Sequence, residues 1–254
     1  MERRKKGGTL KIILITVVAI LIISALFNND EDNSNGTNNT EQTTGVSESD
    51  TTEATTQGQT ETTVKETKEV TTVEPFQDEL SSGHYTSGID FPPGKYNLTA
   101  VKGSGNVSTS NMFTGGLNEI MGNPADDYSI EEFKNANLED GVVLSISGNL
   151  KLNISTEEAE TTKMIKRENP LTETIELASG NYVAGEDFPA GIYNIVATSG
   201  SGNVSSSNMF EGGLNEIMGS SADDFSIKEF KNASLDEGVE LTISGVSIEL
   251  VPSS

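Results

Sequence analysis

Between residues 83 and 252 the chain alternates in twos. Val142, Leu144 and Ile146 are separated by Val143 and Ser145, and ninety-seven residues on Val239, Leu241 and Ile243 are separated by Glu240 and Thr242. Tyr96, Leu98 and Ala100 follow the same pattern, as do Tyr193, Ile195 and Ala197. A period of two sends alternate side chains to opposite faces of a strand. Val143 in one run stands where Glu240 stands in the other, which marks that face as the wet one. Turn residues punctuate the runs. Pro93-Gly94 and Ala190-Gly191 suit the centre of a type II turn, with the glycine supplying positive φ. Gly103-Ser104-Gly105 and Gly200-Ser201-Gly202 mark the next turn. Glu139-Asp140-Gly141 and Asp236-Glu237-Gly238 are turns that open the run from Val142 to Ile146 and its counterpart. One stretch departs from the alternation: Asn111 to Gly122, with its counterpart Asn208 to Gly219. Its GGLNEIMG core reads as one helical turn or as a tight loop plugging an open end with Leu, Ile and Met.

These matched positions belong to one unit written twice. Residues 83–148 align with 180–245 without a gap, and about 45 of 66 positions are identical. Two copies of this length make a tandem of domains, since a solenoid needs at least three short units. Past Gly148 and Gly245 the alignment slips by one. Leu150, Leu152 and Ile154 then correspond to Val246, Ile248 and Leu250, so Asn149 reads as one extra turn residue that keeps the apolar set facing inward. Six to eight short strands per copy predict an all-β protein of two small antiparallel, jelly-roll-like sandwiches. They occupy residues 76–155 and 171–254, joined by a connector at 156–170.

The first third of the chain is written differently. Ile12 to Phe27 is an uncharged apolar run behind Arg3, Arg4, Lys5, Lys6 and Lys11. As a helix it spans about 24 Å against a hydrocarbon core of ~30 Å, which Leu10 and a snorkelling Lys11 help to cover. Basic residues on its N-terminal side keep residues 1–11 in the cytoplasm and send the rest across. The expectation is a transmembrane signal anchor at 12–27; a cleaved signal peptide is the rival reading. Residues 28–75, rich in Asn, Thr, Glu, Ser and Gln, bury too little to offset the entropy of ordering and predict a disordered stalk. The net charge of −23 is therefore uneven. With the basic tip set aside, 11 basic and 38 acidic residues leave about −27 beyond the membrane.

That charge repels nucleic acid. The chain has no Cys and one His. Disulfides, thiolate metal sites and cysteine nucleophiles are excluded, and a Ser–His–Asp site cannot occur in both copies. His84, matched by Asn181, reads as an exposed turn residue. The remaining chemistry is in amides and carboxylates. In the first copy the candidate ligand-binding residues are Asn106, Asn111, Glu119, Asp126 and Asp127; in the second they are Asn203, Asn208, Glu216, Asp223 and Asp224. Hard oxygen donors make Ca²⁺ the metal to consider, although no calcium loop of the D-x-[DN]-x-[DN]-G type is present. Asp126 and Asp223, ahead of Tyr128-Ser129 and Phe225-Ser226, equally suit Asx turns. The adjacent acids also raise a carboxylate-dependent hydrolase, but neighbours in sequence do not define the opposed geometry this needs. The paired tyrosines Tyr85/Tyr182 and Tyr96/Tyr193 fit core rim or sugar platform.

The strings D-F-P-[PA]-G-x-Y-N-[LI], G-S-G-N-V-S-x-S-N, G-G-L-N-E-I-M-G and F-K-N-A resemble a group of extracytoplasmic modules of Gram-positive, Firmicutes-type bacteria. These are often carried behind a membrane anchor or a zinc-ribbon-like head, and the resemblance covers about residues 80–155 and 177–252. It implies an exported all-β module and supplies no catalytic residues. The expected function is a non-catalytic binding or envelope-associated protein at the cell membrane, with no cofactor, whose partner is a cell-wall polymer or another envelope protein. A structural or regulatory partner of another membrane protein is the alternative.

Overall fold

A computed structural model describes residues 73–221, 223 and 225–254. The basic tip, the expected membrane span, the stalk up to residue 72, and Asp224 lie outside the described residues. Those described form an all-β structure with one 3-10 turn, at Thr161–Lys163.

The first copy comprises β1 (Glu74–Leu80), β2 (Gly83–Thr86), β3 (Gly94–Thr109), β4 (Asn118–Asn123), β5 (Glu132–Leu138), β6 (Val143–Ile146) and β7 (Lys151–Ala159). Strand β1 begins two residues inside the expected stalk. Strand β7 runs four residues into the expected connector, which therefore shortens to begin at Glu160. The second copy comprises β8 (Ile175–Leu177), β9 (Gly180–Val183), β10 (Gly191–Ser206), β11 (Asn215–Gly219), β12 (Glu229–Leu235) and β13 (Glu240–Pro252).

The long strands β3 and β10 organise each copy. The first part of β3 pairs antiparallel with β5 and β7; the second part pairs with β4 and β6. In the second copy β10 pairs the same way with β12 and β11 and runs along β13 almost throughout. The bend lies at Gly103, whose φ is 76°. Two residues on, a Cβ at Gly105 would lie 1.7 Å from the Ser147 carbonyl oxygen. The Gly-Ser-Gly run is thus a corner within one strand, and the expected turn between two strands does not exist. Glycine is needed there because the backbone bends and packs closely against its neighbour.

Two further expectations fail. Gly94 and Gly191 are the first residues of β3 and β10 and lack the positive φ of a type II turn. The GGLNEIMG segment is mostly strand, β4 and β11, with Leu117 and Met121 buried and Ile120 exposed. Leu and Met stand four apart, a spacing that satisfies both a period of two and a helical face.

Each copy closes on its own apolar cluster. One is built from residues between Leu80 and Ile154, the other from residues between Leu177 and Leu250. In the first, the Tyr96 ring meets Phe91 edge-on at 5.5 Å, and its hydroxyl donates to the Pro92 carbonyl at 2.6 Å. Phe188, Tyr193 and Pro189 repeat the arrangement. Each fully buried large side chain contributes about 2 kcal/mol from burial alone. The inferred slip also appears in the packing. Leu150, Leu152 and Ile154 are as buried as Val246, Ile248 and Leu250. Gly148 and Asn149 form a turn in the first copy, whereas in the second β13 continues through Gly245 with a shift of register.

Candidate binding surface

Among the described residues, the predicted polar side chains do not converge on one site. Asn106 and Glu119 lie on neighbouring strands with opposite orientations. Asn106 pairs with Ile120 on the exposed face, and Glu119 pairs with the buried Val107. The Asn106 amide donates to Asn118 Oδ1 at 3.1 Å; Asn203, its counterpart, is exposed. Asn111 and Asn208 are braces: their Nδ2 groups donate to the Asn137 and Ser234 carbonyls at 2.7 and 2.8 Å. Their Oδ1 atoms are buried beside Gly116 and Gly213.

Asp126 makes an Asx turn. Its Oδ1 accepts from the Tyr128 N–H at 3.0 Å and from Ser129 Oγ at 2.8 Å. Asp223 does the same with Phe225 and Ser226. These hydrogen bonds favour the ionised forms and hold both carboxyls below the ordinary aspartate range. Asp127 is exposed. Among the described residues no group of three His, Cys, Asp or Glu side chains is placed to hold a metal.

The tyrosine platform is absent too. Tyr85, Tyr96 and Tyr193 are buried, and Tyr182 is half-buried with its hydroxyl donating to the Ala178 carbonyl. The surface shows different rings. Phe113 is 90% exposed and Phe210 is 70% exposed at the tip of the β3–β4 loop and its counterpart. Met112 and Met209 are exposed beside them, and Tyr128 and Phe225 protrude from the loop after β4 and β11. The base of each tip is tied down identically. Thr109 Oγ1 accepts from the Leu117 N–H at 3.0 Å, and Ser206 Oγ from the Leu214 N–H at 3.0 Å. Gly116 and Gly213 N–H groups donate to the Asn111 and Asn208 carbonyls. The loop is therefore a braced turn with an apolar tip. Its sequence signal was the Met-Phe pair between turn residues, unchanged in both copies.

A second cluster went unread in the sequence, at the contact between the copies. The Lys231 N–H donates to the Ser82 carbonyl, bringing β12 alongside β2 in parallel. Asn232 Nδ2 donates to the His84 carbonyl at 2.8 Å. His84 is half-buried in β2, contrary to the exposed turn expected. Its Nδ1 lies 2.8 Å from Ser145 Oγ, its Nε2 lies 2.6 Å from the Gly213 carbonyl, and its ring meets Phe230 edge-on at 5.2 Å. Burial pushes its pKa down, partly opposed by the Gly213 hydrogen bond. Glu216 is buried here and accepts from the Gly148 N–H at 3.3 Å. Desolvation pushes its pKa up to about 7. From the connector, Arg167 reaches Asp90 at 2.5 Å in an ion pair with side-chain exposures of 9% and 16%. Asp90 also accepts from the Thr86 N–H at 2.7 Å.

No family model matches the chain, and no curated protein does. Among solved structures, a cupin 2 conserved barrel domain protein from Leptotrichia buccalis is 12% identical, covering 71% of this chain and 84% of that one with a TM-score of 0.21. A superposition at that level assigns neither fold nor function.

Proposed function

We propose that this chain is a membrane-anchored, outward-facing, non-catalytic binding module that engages another envelope protein through its two Met-Phe tips. The observation that carries the reading is the pair Phe113 and Phe210. Each is a large apolar ring held out into solvent by a loop whose hydrogen bonds are the same in both copies. An exposed apolar ring on a braced turn offers area to bury without an ordering cost, which is how interface anchors act. A protein partner suits these tips better than a cell-wall polymer, because three of the four paired tyrosines, Tyr85, Tyr96 and Tyr193, are committed to the cores and the tips themselves are apolar Met and Phe. Two tips on one chain raise avidity for a partner that repeats. The basic tip, apolar run and acidic stalk support display outside the membrane, and the likeness to exported Gram-positive modules supports the same placement.

The test is photo-crosslinking from positions 113 and 210 in the full-length chain on intact cells. Both positions should label the same protein, and Phe113→Ala with Phe210→Ala should reduce its co-purification at least tenfold. Labelling of lipid or wall polymer alone would sink the reading, as would unchanged recovery with the double variant.

A further inference from the structure

The contact between the two copies joins unlike faces, and each copy carries both of them. The first copy contributes Ser82, Gly83, His84 and Gly148; the second contributes Gly213, Glu216 and the Phe230-Lys231-Asn232 run. The repeat places a counterpart of each face elsewhere on the chain, and both counterparts are uncovered. Glu119, Lys134 and Asn135 are exposed where Glu216 is buried and Lys231 and Asn232 are half-buried. Ser179 and Asn181 are exposed where Ser82 is buried and His84 is half-buried. Among the described strands β5 pairs only with β3, and β9 only with β13. Each leaves a free edge where β12 and β2 meet.

We propose that the chain associates with further copies of itself head to tail, the β9 edge of one chain taking the β5 edge of the next. A contact between unlike faces that does not close on itself generates an open row. Much of the chemistry is retained. Lys134 can present its N–H to the Ser179 carbonyl as Lys231 does to Ser82. Asn135 keeps the left-handed backbone of Asn232, with φ of 59° against 56°, a conformation uncommon outside glycine. The two serines show the docked and undocked arrangements. Where Glu216 takes the Gly148 N–H, Ser82 Oγ donates to the Gly148 carbonyl; where no carboxylate arrives, Ser179 Oγ accepts from the Gly245 N–H at 3.0 Å. Docking of Glu119 would replace that serine bond. The change of His84 to Asn181 leaves no ring to meet Phe133 as His84 meets Phe230. The contact between chains is accordingly weaker than the one within.

The absence of cysteine makes a direct test possible. Full-length Lys134→Cys and Asn181→Cys chains, carrying different tags, are co-expressed and treated in intact cells with a short membrane-permeant bismaleimide. Crosslinked heterodimer should form, neither variant alone should give homodimer, and the double variant should give a ladder of rising size. A Lys231→Cys, His84→Cys chain should crosslink internally, showing that the linker spans the template contact. Homodimer from either single variant, or absence of heterodimer with the internal crosslink present, would overturn the proposal. Loss of the internal crosslink would overturn it too, by removing the contact on which it is patterned.

Discussion

Glu119 and Glu216 occupy the same place in a sequence repeated with about two thirds of its letters unchanged, as do Ser82 and Ser179, and Phe133 and Phe230. Their interiors agree: Tyr96 and Tyr193, Leu98 and Ile195, Met121 and Met218 are all fully buried. Their faces do not. Glu119 is in water, whereas Glu216 is buried against Gly148. Ser82 is buried and Ser179 exposed. The comparison separates two determinants of environment. Alternation and turn chemistry dictate which side chains line a copy's core. Whether a rim residue meets water depends on which neighbour the chain brings to it, and that is not written in the repeat itself.

The largest expected effect tests the agreement of the interiors. A Cβ at Gly105 or at Gly202 would lie 1.7 Å from the carbonyl oxygen of Ser147 or Ser244. Backbone on both sides leaves nothing flexible to yield. Gly105→Ala and Gly202→Ala should each cost more than about 5 kcal/mol, in the exceptional range of single substitutions. Thermal melts followed by circular dichroism should show matching losses for the two variants. A melt unchanged by either one would mean that the corner of β3 or β10 does not press against that carbonyl.

The next effect tests the disagreement of the faces. Asp90 pairs with the nearly buried Arg167, while its counterpart Asp187 is exposed and accepts the Val183 N–H. Removing one partner of a buried pair strands the other charge and costs about 4 kcal/mol. Losing a turn hydrogen bond at the surface costs about 1 kcal/mol. Asp90→Ala should therefore lower the denaturant midpoint far more than Asp187→Ala. Equal losses would show that the connector does not dock as described.

The cores were legible because burial follows alternation, even across the slip at Asn149. The turns were less so. Glycine marks both a turn and a strand corner, so Gly103-Ser104-Gly105 was ambiguous until the pairing of β3 was known. Leu117 and Met121, four apart, fit helix and strand alike. Of the candidate residues, the Asx turns of Asp126 and Asp223 followed from a serine three positions on. Nothing in letters shared by both copies could say that Glu216 alone is buried. The one hint was a difference, His84 against Asn181, because a contact made by one copy only is free to use a residue that the other lacks.

The smallest effect is a slope. Glu216 unfolded titrates near 4.5, and burial raises it to about 7 in the folded chain. Between those values the folded state holds more protons than the unfolded one, so stability falls as pH rises and levels off above about 7. The full penalty is on the order of 3 kcal/mol. His84 acts in the opposite sense. Its pKa is held below the usual 6.5, so the folded state resists protonation and stability is lost as pH falls below that value. Over mildly acidic pH the two effects oppose each other, and the decline from Glu216 stands alone between about 6.5 and 7. Glu216→Gln cannot ionise and should abolish the decline toward neutral pH, giving a higher melting temperature than the parent above pH 7. Glu119→Gln, at the equivalent but exposed position, is the control. If melting temperatures measured across this range gave parallel profiles for the two glutamine variants, Glu216 would be as open to water as Glu119, and the asymmetry between the copies would be lost.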